Sequence, residues 1–177
     1  MSGSLRELFS FDVHSLATHF AMLALAFIVT LPVGWDQERS TRAAGIRTFP
    51  LVAVGAAAYV ILGRVTLGDD AGAHSRLLQG LVTGIGFIGG GAILKTRDRV
   101  RGTATAASLW STAAIGAAVA YEQIDVASLL SAINFLALRL LRPLRRRISG
   151  EDDRLGAVED ARGGSSERDG RSSPRGA

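Results

Sequence analysis

The chain has 177 residues, of which 47% are hydrophobic but only 6% aromatic, and it contains no cysteine. The lack of cysteine excludes disulfides, cysteine-based zinc sites and thiol catalysis. Its net charge is +4, but the arginines cluster in short segments between apolar runs, which indicates orientation in a membrane and argues against nucleic-acid binding.

Residues 1–14 mix apolar and charged residues, which is typical of either a short amphipathic helix at the membrane interface or a disordered leader. The first apolar run, Ser15 to Val33, is long enough to cross a bilayer. His19 lies near its start and Pro32 near its end, where a missing backbone hydrogen bond matters least. A histidine in a membrane can relay protons, but one near the interface without an acidic partner is more often a solvated end residue.

The second span follows a polar segment, Trp35 to Arg47. Thr48 is positioned to cap the next helix, and Pro50 falls in its first turn, where proline is tolerated. The span is predicted from Phe49 to Gly63, and it continues further if Arg64 snorkels to the interface.

The third run, Leu77 to Leu94, includes the glycine-rich stretch Gly84 to Gly91, which contains the pattern G-x-G-x-x-G. That pattern binds dinucleotides when it lies between a strand and a soluble helix with an acid about 20 residues on, and this context is missing. Glycines four apart, such as Gly80 and Gly84, instead give a membrane helix a smooth face that neighbouring backbones can approach closely. We therefore predict that these glycines serve helix packing.

Two more spans follow the basic loop Lys95 to Arg101, the fourth over about Ala104 to Tyr121 and the fifth over about Ile124 to Leu141. Residues 148–177 offer almost nothing to bury and are predicted to be a disordered cytoplasmic tail.

These runs predict an all-α, multi-pass membrane protein with about five transmembrane helices in a tightly packed bundle over residues 15–147. Basic residues concentrate in the first and third loops and after the fifth span. The positive-inside tendency therefore places the N-terminus outside and the C-terminus in the cytoplasm.

The acidic residues give little support to catalysis or transport. No Asp or Glu falls within a predicted span, and no Ser-His-Asp set, metal-ligand cluster or P-loop is visible, so we do not expect an enzyme. Asp36 and Glu38 could bind Mg²⁺, which prefers hard oxygen ligands, but their basic neighbours favour internal ion pairs. The predicted cytoplasmic polar cluster consists of Asp36, Glu38, Arg39, Arg42, Arg47 and Arg101. Two alternative roles for the arginines stay open, namely binding of anionic lipid headgroups and simple fixation of topology.

Two stretches together resemble a known family. The segment from Gly34 to Thr48, continuing to Gly55, and the segment from Gly84 to Gly116 are similar to the two signatures of the MgtC/SapB family of bacterial inner-membrane proteins. At Trp35-Asp36-Gln37 the family usually has Leu-Glu-Arg, so a basic partner is lost at position 37. The matching residues, which we assign to helix packing and to the family motif, are Gly45, Thr48, Gly55, Gly84, Gly86, Phe87, Gly89, Gly91, Gly102, Thr105, Trp110 and Gly116.

The resemblance implies a protein of the bacterial inner (plasma) membrane that serves adaptation to low magnesium or acid stress. It also implies a short form without the C-terminal cytoplasmic regulatory domain of longer members. The family name suggests magnesium transport, whereas several members are thought to bind other membrane proteins, including the ATP synthase. The lack of intramembrane acids favours a non-enzymatic modulator of a membrane partner, with no cofactor except possible Mg²⁺. A divalent-cation transporter is the alternative, and a homo-oligomer is compatible with either.

Overall fold

Five helices and one short hairpin form the part of the chain that the structure describes. The structure is a computed structural model and describes residues 12–40, 44–96, 99–141 and 143. Most of the predicted leader and the whole predicted tail at 148–177 lie outside these residues. The described residues up to Leu138 form one compact unit, and those from Arg139 onward fall outside it.

The helices follow one another with short connections. They are α1 (Val13–Ser40), α2 (Thr48–Leu67), α3 (Ala71–Gly91), α4 (Thr103–Ala120) and α5 (Ile124–Leu141). Between α3 and α4, strand β1 (Leu94–Thr96) pairs antiparallel with β2 (Arg99–Arg101). The all-α class is confirmed, and a hairpin occupies the position of the predicted basic loop.

Four of these helices, α1, α2, α4 and α5, are long and apolar enough to cross a membrane. The glycine helix α3, predicted as a span, is not one of the four. Its helical structure begins at Ala71, so its first turns include the polar residues His74 and Arg76. The composition therefore indicates a membrane protein, with four helices of spanning character in the described residues.

Helix α1 is longer than predicted. It continues through Trp35 to Ser40, which the sequence assigned to a polar loop, and Pro32 lies inside it instead of near its end. Gln, Glu and Arg are good helix formers, and they extend the helix beyond its apolar run. Because proline lacks only one backbone N–H, a long helix tolerates it when tertiary packing supports the flanking turns.

The start of α2 also differs from the prediction. Thr48 is the first helical residue and not the cap, and Arg47 at the cap position makes no side-chain capping bond. The carbonyl of Gly45 instead accepts from the backbone N–H groups of Thr48 (3.0 Å) and Phe49 (3.1 Å). The Gly45 carbonyl thus pairs with the first N–H groups of α2, a role predicted for the Thr48 hydroxyl.

Alanines make up more than half of the buried hydrophobic residues, and most of them lie on α2 and α4. The buried alanines are Ala26, Ala53, Ala56, Ala57, Ala106, Ala113, Ala117, Ala120 and Ala127. At the closest point, a Cβ atom built on Gly116 would lie 2.9 Å from Ala53 Cα and closer still to the Ala53 carbonyl. Only glycine at position 116 permits this approach, since real Cβ atoms do not come so near to backbone.

We predict that Gly116→Ala destabilises the protein by about 1–3 kcal/mol, because the added methyl group meets backbone that has little room to move. Gly55→Ala is the matched control, since its Cβ would meet no heavy atom within 4 Å. That variant should gain up to about 1 kcal/mol from helix propensity. Thermal unfolding in detergent measures both, and equal shifts in the two variants would contradict the packing.

Candidate functional site

The predicted polar cluster lies at the end of α1 and the start of α2. Asp36 is buried, with 7% of its surface exposed, whereas Glu38 is exposed. Residues two apart on a helix do not face each other. The structure therefore does not bring these two carboxylates together as a paired metal site.

Glu38 instead makes a hydrogen bond to the connection between α1 and α2. Its Oε2 atom accepts a hydrogen bond from the backbone N–H of Ile46 at 3.1 Å. A Cβ atom on Gly45 would lie 2.8 Å from Glu38 Cα, and one on Gly34 would lie 3.1 Å from Ile46 Cα. The family-motif residue Gly45 thus lets the returning backbone lie directly against the last turns of α1.

The basic members of the cluster spread over the surface. The guanidinium of Arg39 lies 5.0 Å from the centre of the Trp35 ring, one helical turn away, which is a cation–π contact. Arg47 and Arg101 are exposed, and Arg42 lies outside the described residues. Within the described ranges, no three His, Asp or Glu residues are placed to hold a metal ion. Mg²⁺ binding stays a prediction.

The glycine helix faces mainly outward. A Cβ atom built on Gly80, Gly84, Gly86, Gly90 or Gly91 would meet no heavy atom within 4 Å, and Phe87 is 85% exposed. Gly89 differs, since its Cβ would lie 3.4 Å from the carbonyl oxygen of Ala106 on α4. Of the glycines predicted to pack on this helix, Gly89 is thus the one that meets another element of the described chain, and the others leave an open surface.

The remaining motif residues fall into three groups. Gly102 has φ +88°, and a Cβ there would lie 3.0 Å from the carbonyl carbon of Ala92, so glycine is required to close the base of the hairpin. Thr105 and Gly116 are buried on α4. Trp110 is half exposed, and Gly55 faces open space.

A buried polar network joins α4 to α5. The Ser108 hydroxyl donates to Asn134 Oδ1 (2.8 Å), and Asn134 Nδ2 donates back to the Ser108 carbonyl (3.2 Å). Thr112 Oγ1 donates to the same carbonyl at 2.8 Å. The Ser131 hydroxyl donates to the Val29 carbonyl of α1 at 2.6 Å. None of these bonds was predicted, because the position of a serine or threonine in an apolar run does not show which neighbouring helix its side chain will face.

At the opposite end of the bundle a groove of about 590 Å³ lies between the ends of α1, α2, α3 and α4. Arg64 donates to Glu122 Oε1 (2.7 Å) and to the Ala120 carbonyl (2.6 Å), so it ties α2 to α4 where the sequence predicted snorkelling. His74 Nε2 lies 2.8 Å from the Gly68 carbonyl and Nδ1 lies 3.1 Å from the Tyr121 hydroxyl. Because a carbonyl only accepts, Nε2 carries a proton, and in the neutral imidazole Nδ1 then accepts from the Tyr121 hydroxyl. His19, predicted as a solvated end residue, is half-buried and lines this groove.

Glu122 occupies an unusual backbone position in this groove. Its φ is +63°, and the N–H groups of Glu122 and Gln123 bond to the carbonyls of Val119 and Ala118, both at 2.9 Å. This is the pattern that ends a helix with a left-handed residue, normally glycine. The chain has a glutamate there instead, and its carboxylate pairs with Arg64.

Comparison with known proteins gives a consistent result. The family model described as the MgtC family matches residues 23–147. Protein MgtC of Brucella abortus is 38% identical over 144 residues, covering 81% of this chain and 60% of the relative. Protein SrpB of Synechococcus elongatus is 41% identical over 109 residues, covering 55% of this chain and 60% of the relative. Protein MgtC of Salmonella typhimurium is 36% identical over 127 residues, covering 72% of this chain and 54% of the relative.

The chain therefore spans little more than half the length of these curated relatives. No solved structure matches it.

We predict that Ser108 and Asn134 are energetically coupled. In a double-mutant cycle of Ser108→Ala and Asn134→Ala, the coupling energy should be about 1 kcal/mol, which is typical of hydrogen bonds between membrane helices. Ser111→Ala is the control partner, because the Ser111 hydroxyl bonds to Ala107 within its own helix. Unfolding in detergent measures the cycle, and a coupling of Asn134 to Ser111 as large as that to Ser108 would refute the assignment.

Proposed function

The chain belongs to the MgtC family, and from this premise we propose that it is a non-enzymatic membrane protein that modulates a membrane partner in adaptation to low magnesium or acid stress. The setting that we propose is the bacterial inner membrane, with the N-terminus outside and the C-terminus in the cytoplasm. The four apolar helices support a membrane setting. The distribution of basic residues supports this orientation, which requires α3 to cross the membrane as a fifth span.

The observation that carries the proposal is the outward glycine face of α3, which we define as Gly80, Gly84, Gly86, Gly90 and Gly91. In a membrane, association of helices depends on van der Waals packing between closely spaced backbones, because lipid tails are as apolar as the side chains. Glycines on the outside of a bundle contribute nothing to the packing of its own chain. They do allow a helix of another protein to approach closely.

Two polar side chains lie among these outward glycines. Gln79 and Thr83 are exposed on α3, one turn apart, and the Thr83 hydroxyl bonds back to the Gln79 carbonyl at 2.8 Å. The Gln79 amide offers two donors and an acceptor to a neighbouring helix. A side-chain amide facing lipid is costly unless it is paired, so this position also favours a protein neighbour. By family resemblance the ATP synthase is the expected class of partner.

We predict that a photo-crosslinking benzoylphenylalanine in place of Phe87 captures a membrane-protein partner in cells, because this ring is 85% exposed beside the glycine face. The same amino acid in place of Tyr59, 62% exposed on α2, is the matched control. Mass spectrometry of the captured proteins should identify a partner specific to position 87. Equal capture from both positions would contradict a dedicated face.

We further predict that Gly84→Leu reduces that capture by about five- to 150-fold, since disruption of tight helix packing costs roughly 1–3 kcal/mol. The fold should be unaffected, because position 84 has open space around it in the chain. Ala58→Leu, an outward change on α2, is the control and should leave capture unchanged.

If liposomes of pure protein carried Mg²⁺ and Asp36→Asn abolished the flux, the transporter alternative would replace this proposal.

The orientation is tested by single cysteines, because the chain has none of its own. Asp69→Cys, in the connection between α2 and α3, should react with a membrane-impermeant maleimide in intact cells. Lys95→Cys, in the hairpin at the other end of α3, should react only after the membrane is opened. The reverse pattern would overturn the proposed topology.

A further inference from the structure

The hairpin between α3 and α4 exposes basic and aliphatic side chains side by side. Lys95 and Arg101 are exposed. Leu94 is 62% exposed, Val100 51% and Ile93 41%. The sequence adds Arg97 and Arg99 against a single acid, Asp98. The described residues therefore leave a cationic surface with uncovered apolar groups.

The strand register arranges these groups in mixed pairs. Leu94 lies opposite Arg101, and Lys95 lies opposite Val100. Residues directly opposite each other in an antiparallel pair share a face of the hairpin, and adjacent pairs alternate faces. Each of these two pairs thus places one aliphatic side chain beside one cation. A segment that simply projects into water gains nothing from exposing an aliphatic residue on both faces.

The position of the hairpin is fixed close to a membrane-spanning helix. β2 ends at Arg101, and α4, one of the four apolar helices, begins at Thr103. Gly102 joins them in the left-handed conformation, pressed against Ala92. Strands of three residues reach only about 10 Å, because each residue rises about 3.3 Å. The polar headgroup layer on each side of a bilayer is about 5–8 Å thick, which is comparable with the reach of the hairpin.

We propose that this hairpin binds the headgroups of anionic phospholipids in the leaflet where α3 ends and α4 begins. Lys95 and Arg101 contact lipid phosphates, while Leu94 and Val100 rest at the boundary of the acyl chains. Clusters of basic residues beside membrane helices attract anionic lipid by this electrostatic effect, and apolar neighbours strengthen interfacial binding. The proposal depends on α4 spanning the membrane, and it is independent of the partner contact at α3.

The test measures which lipid lies next to the hairpin. Val100→Trp serves as a fluorescent reporter in a chain whose two tryptophans are replaced by Trp35→Phe and Trp110→Phe. The protein is reconstituted into mixed vesicles of phosphatidylcholine and phosphatidylglycerol, in which either lipid carries brominated chains that quench the reporter. We expect phosphatidylglycerol to be preferred at the hairpin by about fivefold, the factor that one basic residue near a membrane surface contributes.

Matched variants separate this site from general effects. Lys95→Gln with Arg101→Gln should bring the preference to about one, whereas the charge-conserving Lys95→Arg with Arg101→Lys should keep it. Leu67 is the last residue of α2, at the opposite end of the bundle from the hairpin, and it is 38% exposed. A Leu67→Trp reporter there should show no preference between the two lipids. Circular dichroism and gel filtration establish that each variant is folded.

Three results would overturn the proposal. Equal quenching by both lipids at position 100 would indicate that the hairpin binds an acidic protein surface instead of lipid. The same preference at position 67 would show a property of the whole bundle. Loss of the preference in inorganic phosphate, but not in chloride of equal ionic strength, would identify a site for free phosphate instead of lipid. Crosslinking from Phe87 is read independently, so failure of one proposal does not imply failure of the other.

Discussion

The bundle depends on the close contact between α2 and α4 at Gly116 and Ala53. With no side chain at position 116, the two backbones meet directly, and the surrounding alanines continue the contact along both helices. Close approach multiplies dispersion contacts that are individually tiny. In lipid this packing has to replace the hydrophobic effect, which provides little drive for one apolar helix to join another.

The polar groups inside the bundle follow from the same constraint. Hydroxyl groups that would be costly in an apolar interior bond to nearby backbone carbonyls, as Thr30 does within α1 and Ser131 does from α5 to α1. At one end of the bundle, Arg64 closes the gap between α2 and α4 by bonding to a carboxylate and a carbonyl together. This ion pair is partly exposed, so its contribution to stability is small. Its effect is to fix which helix ends are neighbours.

Much of the architecture was predictable because apolar runs report directly on helices. α2, α4 and α5 match their predicted spans within a few residues. The direction in which each face points was not predictable, since glycine spacing looks the same whether a face meets its own chain or another. Gly89 turned inward while Gly84 turned outward. The backbone turn at Gly45 lacked a signal because it depends on Glu38, eight residues earlier on another element. The hairpin lacked one because its strands are only three residues long.

The length of α1 has a consequence for the membrane around it. Its 28 residues span about 42 Å, compared with a hydrocarbon thickness of about 30 Å. The returning chain lies against α1 at Gly34 and again at Glu38, so only the last two residues of the helix, about 3 Å, lie beyond that contact. The apolar run from Ser15 to Val33 alone spans about 29 Å, which matches the hydrocarbon thickness. The polar turns from Trp35 onward and the chain that returns along them therefore reach together into the headgroup layer, with the exposed Trp35 ring at its boundary.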